Sequence, residues 1–133
     1  MSNSFISERV DRAAAPLAVG DLLVILAVIA VGMRNHGTLT GIVPLLTTAA
    51  PFLVGWLLTS IPIGAYSSGA AESAKASVPL AIRSWIPAAI VGIVISGATQ
   101  STFDLSLGIF LAVMLVTGSI SVGVWRWVFF KAR

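Results

Sequence analysis

Apolar residues along this chain come in four long runs, separated by short polar clusters. The first run extends from Ala13 to Met33 and carries one carboxylate, Asp21. The second covers about Ile42 to Tyr66, the third about Val78 to Gly97, and the fourth about Leu105 to Phe130. None alternates with the period of two expected of a transmembrane strand, and four segments are too few to close a barrel. A helix suits them better, because the 21 residues of the first run rise about 31 Å against a hydrocarbon core of about 30 Å. The pattern predicts an all-α polytopic membrane protein, a four-transmembrane-helix bundle in a single domain over residues 1–133, with helices near 13–33, 42–66, 78–97 and 105–130.

The polar clusters fit this division. Arg34 to Gly41 is polar and contains glycine, Ser67 to Ser77 reads as a small-residue flexible linker, and Gly97 to Thr102 as a tight polar turn. No internal repeat is evident. The segment before the first run, Ser7 to Arg12, balances two acids against two arginines, a poor start for a cleaved leader, so the first run is expected to stay as a helix.

Composition supports the membrane reading. Apolar residues make up 57% of the chain and charged residues 10%, with a mean hydropathy of +1.00, whereas a soluble domain carries about 25% charge. The chain has no cysteine, which removes disulfides, thiolate metal sites and cysteine nucleophiles. A net charge of +3 spread over tails and short loops is not a nucleic-acid footprint, so no nucleic acid is expected as a partner. Those charges speak to orientation instead. Four spans put both termini on one side, which then holds Arg9, Arg12, Lys75, Arg83, Arg126, Lys131 and Arg133; the other side holds Arg34 alone. Positive residues in short loops stay inside, so both termini are expected in the cytoplasm of a plasma-membrane protein. Tyr66, Trp85, Trp125 and Trp127 fall near the same face and read as an interfacial aromatic belt.

Several polar and aromatic positions form a recognisable set. Asp21 is followed by Gly32-Met-Arg-Asn-His-Gly37, then by Thr48-Ala-Ala-Pro51-Phe52-Leu-Val-Gly55-Trp56, Trp85, Phe103 and Trp125-Arg126. From about Asp21 to Arg126 the chain resembles the DUF3054 integral membrane proteins of actinobacteria and haloarchaea. Its most specific elements are the Arg-x-His step and Thr-x-x-Pro-Phe-x-x-Gly. The resemblance implies a fold and a topology but no activity. Members often carry an arginine near the outer end of the third helix, where this chain reads Gly92-Ile-Val-Ile-Ser-Gly97.

Among candidate sites, Asp21 ranks first. A carboxylate on a spanning helix costs up to roughly 2.5–3.5 kcal/mol at the midplane, so it is expected to face the bundle and find a partner. Arg126 and Arg83 lie toward the same face, giving either a structural ion pair or a coupling carboxylate for protons or cations. A second cluster, Arg34 and His36 with Thr47 and Thr48, lies at the outer end. It offers donors to a quinone, a lipid headgroup or an anion, or consists of a snorkelling arginine and a solvated histidine. One histidine without clustered acids makes no metal site, and no cofactor is expected. Pro44, Pro51 and Pro62 are expected to bend or interrupt the second helix, with Pro62 marking its end. Small residues at packing intervals mark contact faces: Ala88, Gly92 and Ser96 on the third helix, and Gly108 and Ala112, then Ser119 and Gly123, on the fourth.

No nucleophile–base pair, carboxylate pair or phosphate loop appears, so a non-enzymatic role is expected. The favoured expectation is an accessory subunit packed in lipid against a larger membrane complex, for example a respiratory one. The alternative is a small homo-oligomeric transporter or channel that uses Asp21.

Overall fold

The computed structural model describes residues 9–101 and 103–132. Ser7 and Glu8 of the N-terminal segment, Thr102 of the last turn and Arg133 lie outside the described residues. Helix α1 spans Ala15–Asn35, α2 Ile42–Ile63, α3 Ala74–Gln100 and α4 Leu105–Ala132, with single 3-10 turns at Arg12–Ala14 and Gly69–Ala71. All four helices are long and apolar enough to cross a membrane, with mean hydropathies between 1.8 and 2.5. Among the described residues there is no strand, only an isolated bridge between Val10 and Tyr66.

Four of the helix boundaries have a clear local cause. Pro16 occupies the first turn of α1, where its missing N–H costs nothing. Helix α2 ends just after Pro62, at Gly64, whose φ of 96° lies in the left-handed region that glycine enters without strain. Ser73 accepts a hydrogen bond from the Ala76 amide and so starts α3. Asp104 does the same for the Leu107 amide at the head of α4.

Two linker expectations are corrected by these caps. The stretch from Ser67 to Ser77 is not a flexible tether: it holds a 3-10 turn, and its last four residues already belong to α3. Gly97 is likewise still helical and buried, and the turn comes after Gln100. The prolines do not interrupt α2. Pro44 sits in the first turn, and the helix runs through Pro51 and Pro62 to Ile63. Helix α3 also continues through Pro79 and Pro87. In the turn preceding Pro87, which withholds a backbone donor, the Thr59 hydroxyl of α2 reaches across to the Ser84 carbonyl at 3.0 Å.

Consecutive helices are neighbours around the bundle. Helix α3 packs closely along both α2 and α4, whereas α1 touches α2 and α4 more sparsely. Close approach needs small residues. A Cβ at Gly55 would strike the Ala88 carbonyl, and one at Gly92 would meet the Phe52 ring at 2.5 Å. At Gly118 the Trp85 indole lies where a side chain would be. That vacancy lets Trp85 Nε1 donate to the Met114 carbonyl at 2.7 Å, which ties α3 to α4.

The predicted contact faces are only partly those observed. Ala88 and Gly92 are buried, Ser96 is half-buried, and Gly123 is buried with Ser119 half-buried. Gly108 and Ala112 are exposed, and a Cβ at Gly108 would touch nothing. The inward stripe of α4 is instead Met114, Gly118, Val122 and Arg126, at intervals of four. The aromatic belt is corrected too. Trp85 and Tyr66 are core residues at 0% and 7% exposure, Trp125 is half-buried, and Trp127 alone of the four faces outward.

Candidate functional site

Asp21 shares the inward face of α1 with Leu17, Ile25, Ile29 and Met33, again at intervals of four. It lies six residues into the helix, about 9 Å from its start. Arg126 lies six residues before the end of α4, at the same end of the bundle. Both side chains are fully buried and form a salt bridge. The guanidinium meets the carboxylate as a fork, Nε donating to Oδ1 at 3.2 Å and Nη2 to Oδ2 at 2.5 Å. Its third nitrogen, Nη1, donates to the Ala65 carbonyl at 2.8 Å and to Ser77 Oγ at 3.1 Å. Arg83, the other arginine considered for this role, is exposed on α3 and does not join. It lies one residue before Ser84, which faces inward, so its own Cβ starts on a different face.

The pair does not stand alone. Tyr66 donates its hydroxyl to Asp21 Oδ2 at 2.7 Å and accepts from Trp56 Nε1 at 2.6 Å. The Arg126 guanidinium also sits over the Tyr66 ring, 5.4 Å from its centroid. Burial first, and then the charge of Asp21, hold the Tyr66 phenol well above its usual range, so it remains a donor. The N-terminal segment closes this end: the Asp11 amide donates to the Tyr66 carbonyl at 2.7 Å. Asp21 from α1, Trp56 from α2, Tyr66 and Ala65 from the following loop, Ser77 from α3 and Arg126 from α4 thus meet in one buried knot. Ser60 Oγ and Trp125 Nε1 are the buried side-chain polar atoms without a hydrogen bond among the described residues. Trp125 Nε1 lies near Asp21 but falls short of bonding geometry. Its indole fills the space left by the missing side chain of Gly20.

An aromatic column leads away from the knot. Trp56 packs on Tyr66 at 6.3 Å and on Trp85 at 6.4 Å, and Phe52 bridges Trp85 at 6.3 Å to Phe110 at 5.6 Å. Phe110 is where the opposite end of the bundle opens. There α1 separates from α2 and α4 around a groove of about 870 Å³. Its walls include Ile29, Met33, Val43, Ile109 and Val113, and its polar atoms come from His36, Thr38, Thr47, Thr48 and Ser106. Of the predicted outer cluster, His36, Thr47 and Thr48 therefore share one groove, whereas Arg34 does not line it. A second groove, of about 660 Å³, runs between α1 and α4 past Thr117 and Ser121.

Sequence reasoning missed Ser77, Gly20 and Gly118, read Tyr66 only as part of an aromatic belt, and named Trp56 and Gly55 only within the family resemblance. One signal was available for Gly118: counting back in fours from Arg126 reaches Val122, Gly118 and Met114. Nothing in the pattern pointed to Tyr66 or Ser77, which lie outside or at the edge of the apolar runs. No curated protein and no solved structure matches the chain. The family model described as "Protein of unknown function (DUF3054)" matches residues 18–129, a span that includes Asp21, the outer groove and Arg126, and the chain belongs to that family.

Proposed function

We propose that this chain is a non-catalytic integral protein of the plasma membrane, an accessory subunit that packs in lipid against a larger membrane complex such as a respiratory one. The observation that carries this reading is the closure of the buried knot. Arg126 donates from all three nitrogens, both Asp21 oxygens accept, and both side chains are fully buried, so neither faces a path open to a substrate or a transported ion. Such a knot costs desolvation and stabilises one arrangement of helices. The outward faces are then largely apolar, with Val19, Leu58, Val116 and Ile120 each about 60% exposed. These faces suit lipid and the flank of another membrane protein alike.

Orientation belongs to the same proposal. The α1 start, α2 end, α3 start and α4 end share the end that holds the knot. With Arg126 neutralised by Asp21, the cations left at that end are Arg9, Arg12, Lys75, Arg83, Lys131 and Arg133, against Arg34 at the other. The bias still favours both termini in the cytoplasm. A phosphatase reporter is expected to be inactive after Arg133 and active when inserted between Gly37 and Thr38; the reverse pattern refutes the orientation.

Purification in mild detergent with mass spectrometry tests the role. A stoichiometric larger membrane partner is expected. A homo-oligomer alone, together with a pH-dependent flux in liposomes that Asp21→Asn abolishes, would replace this reading by that of a small transporter.

A further inference from the structure

We propose that the outer groove is a binding site for a neutral, membrane-dissolved amphiphile of the quinone class. The ring would lie against Phe110, one ring carbonyl would accept from Thr48, His36 would serve as a donor nearer the rim, and the tail would leave past Ile109 and Val113 into the bilayer. This site is separate from the knot and does not depend on the accessory-subunit reading.

The groove holds donors that no other group among the described residues uses. Hydroxyls on membrane helices usually donate back to their own backbone. Thr47 donates to the Val43 carbonyl at 2.9 Å, Thr59 to Gly55 at 2.9 Å and Thr117 to Val113 at 2.7 Å. Thr38 likewise donates to Met33 at 3.2 Å. Thr48 is half-buried, lines the groove and makes no such bond, and neither do His36 or Ser106 among the described residues. Thr48 lies six residues into α2, about 9 Å below its start. At that depth water is scarce, and an unmatched hydroxyl is costly.

The groove's shape and charge narrow the occupant. Its volume of about 870 Å³ falls within the range of small-molecule sites, roughly 300–1,000 Å³. Ile29, Met33 and Phe110 line its inner side, and Val43, Ile109 and Val113, each at least half exposed, give it a side open to lipid. Among the described residues, none that lines it carries a charged side chain of Asp, Glu, Lys or Arg. A phospholipid could place an acyl chain there, but its phosphate would meet no cation in the lining. A bare acyl chain would bring no acceptor for Thr48. A quinone brings a flat ring, carbonyl acceptors, no charge and an apolar tail, matching the walls, the donors and the opening together.

The full-length protein in detergent micelles can be titrated with decylubiquinone, following quenching of tryptophan fluorescence. Trp85 is linked to the groove through Phe52 and Phe110, so a bound quinone is placed to quench it. Saturable quenching is expected, with Thr48→Val weakening the apparent affinity about tenfold. Ile109→Trp should fill the groove from an exposed position and remove the saturable component while leaving the thermal midpoint unchanged. Thr117→Val, in the neighbouring groove, should bind as the parent does. Quenching that never saturates, or that is the same in all four proteins, overturns the proposal. Displacement of decylubiquinone by an equal concentration of dioleoyl phosphatidylglycerol overturns it as well, in favour of a phospholipid site.

Discussion

The two ends of this bundle are built from the same four apolar helices and handle polar groups in opposite ways. At the end where α1 starts and α4 finishes, a carboxylate, a guanidinium, a phenol, an indole and a serine hydroxyl are sealed from solvent and bonded to one another. At the other end, a histidine, a threonine and a serine face a groove with nothing bonded to them among the described residues. The difference lies in reach. Arginine and tyrosine are long enough to cross from one helix to the next, so a few of them can join all four. Threonine and serine cross only where two helices touch, as Thr59 does to the Ser84 carbonyl, and otherwise bond their own helix or whatever enters beside them. A membrane bundle can therefore be locked where it has long polar side chains and receptive where it has short ones.

Removing one half of the central pair should break the contrast most strongly. Arg126→Met leaves Asp21 buried and unpaired, and roughly 3–5 kcal/mol of stability should be lost. Equilibrium unfolding in mixed micelles measures this. The double change Asp21→Asn with Arg126→Met should recover a large part of the loss. If the single change is tolerated as well as the double, the knot is not what holds that end together.

The glycine at the heart of α4 comes next. Gly118→Leu pushes the Trp85 indole off the Met114 carbonyl and should cost about 1–3 kcal/mol. Gly108→Leu, at an exposed position, should stay within about 0.5 kcal/mol. Equal effects at the two glycines would dissolve the distinction between the inward stripe and the outward one. Tyr66→Phe is expected to cost about 1–3 kcal/mol, because Trp56 Nε1 keeps its burial and loses its acceptor. A smaller loss would mean that water or another acceptor takes the place of the phenol.

At the open end the expected effect is the smallest. Thr48→Val should not lower the unfolding free energy, since no intramolecular bond is lost and an unmatched hydroxyl is removed. A destabilisation above about 1.5 kcal/mol would assign the hydroxyl a structural partner, and the two ends would no longer differ in kind.

The correction of the small-residue stripe shows how far the pattern reaches. Gly108 and Ala112 have the same spacing as Gly118 and Val122, yet only the second pair turns inward. Helix α4 is apolar on every side, so it lacks the polar face that would give its rotation. Arg126 carried that information, once it was known to point at Asp21. Tyr66 and Trp85 were misread for a related reason. An aromatic residue near a helix end suits an interfacial belt and a packed core equally well, and its neighbours across the bundle settle which it joins.

By itself the sequence determined the four helices, their neighbourhood in one bundle, and the need of Asp21 for a cationic partner. Each follows from a quantity summed along the chain, or from a single cost too large to leave unmet. Tertiary structure decided that the partner is Arg126 and not Arg83, that Tyr66 and Ser77 complete the knot, and that Thr48 is left without one. Those outcomes depend on how each helix is turned about its axis, where one residue shifts the facing side by about 100°. The close contacts at Gly20, Gly55, Gly92 and Gly118, together with the Asp21–Arg126 bridge, hold those angles.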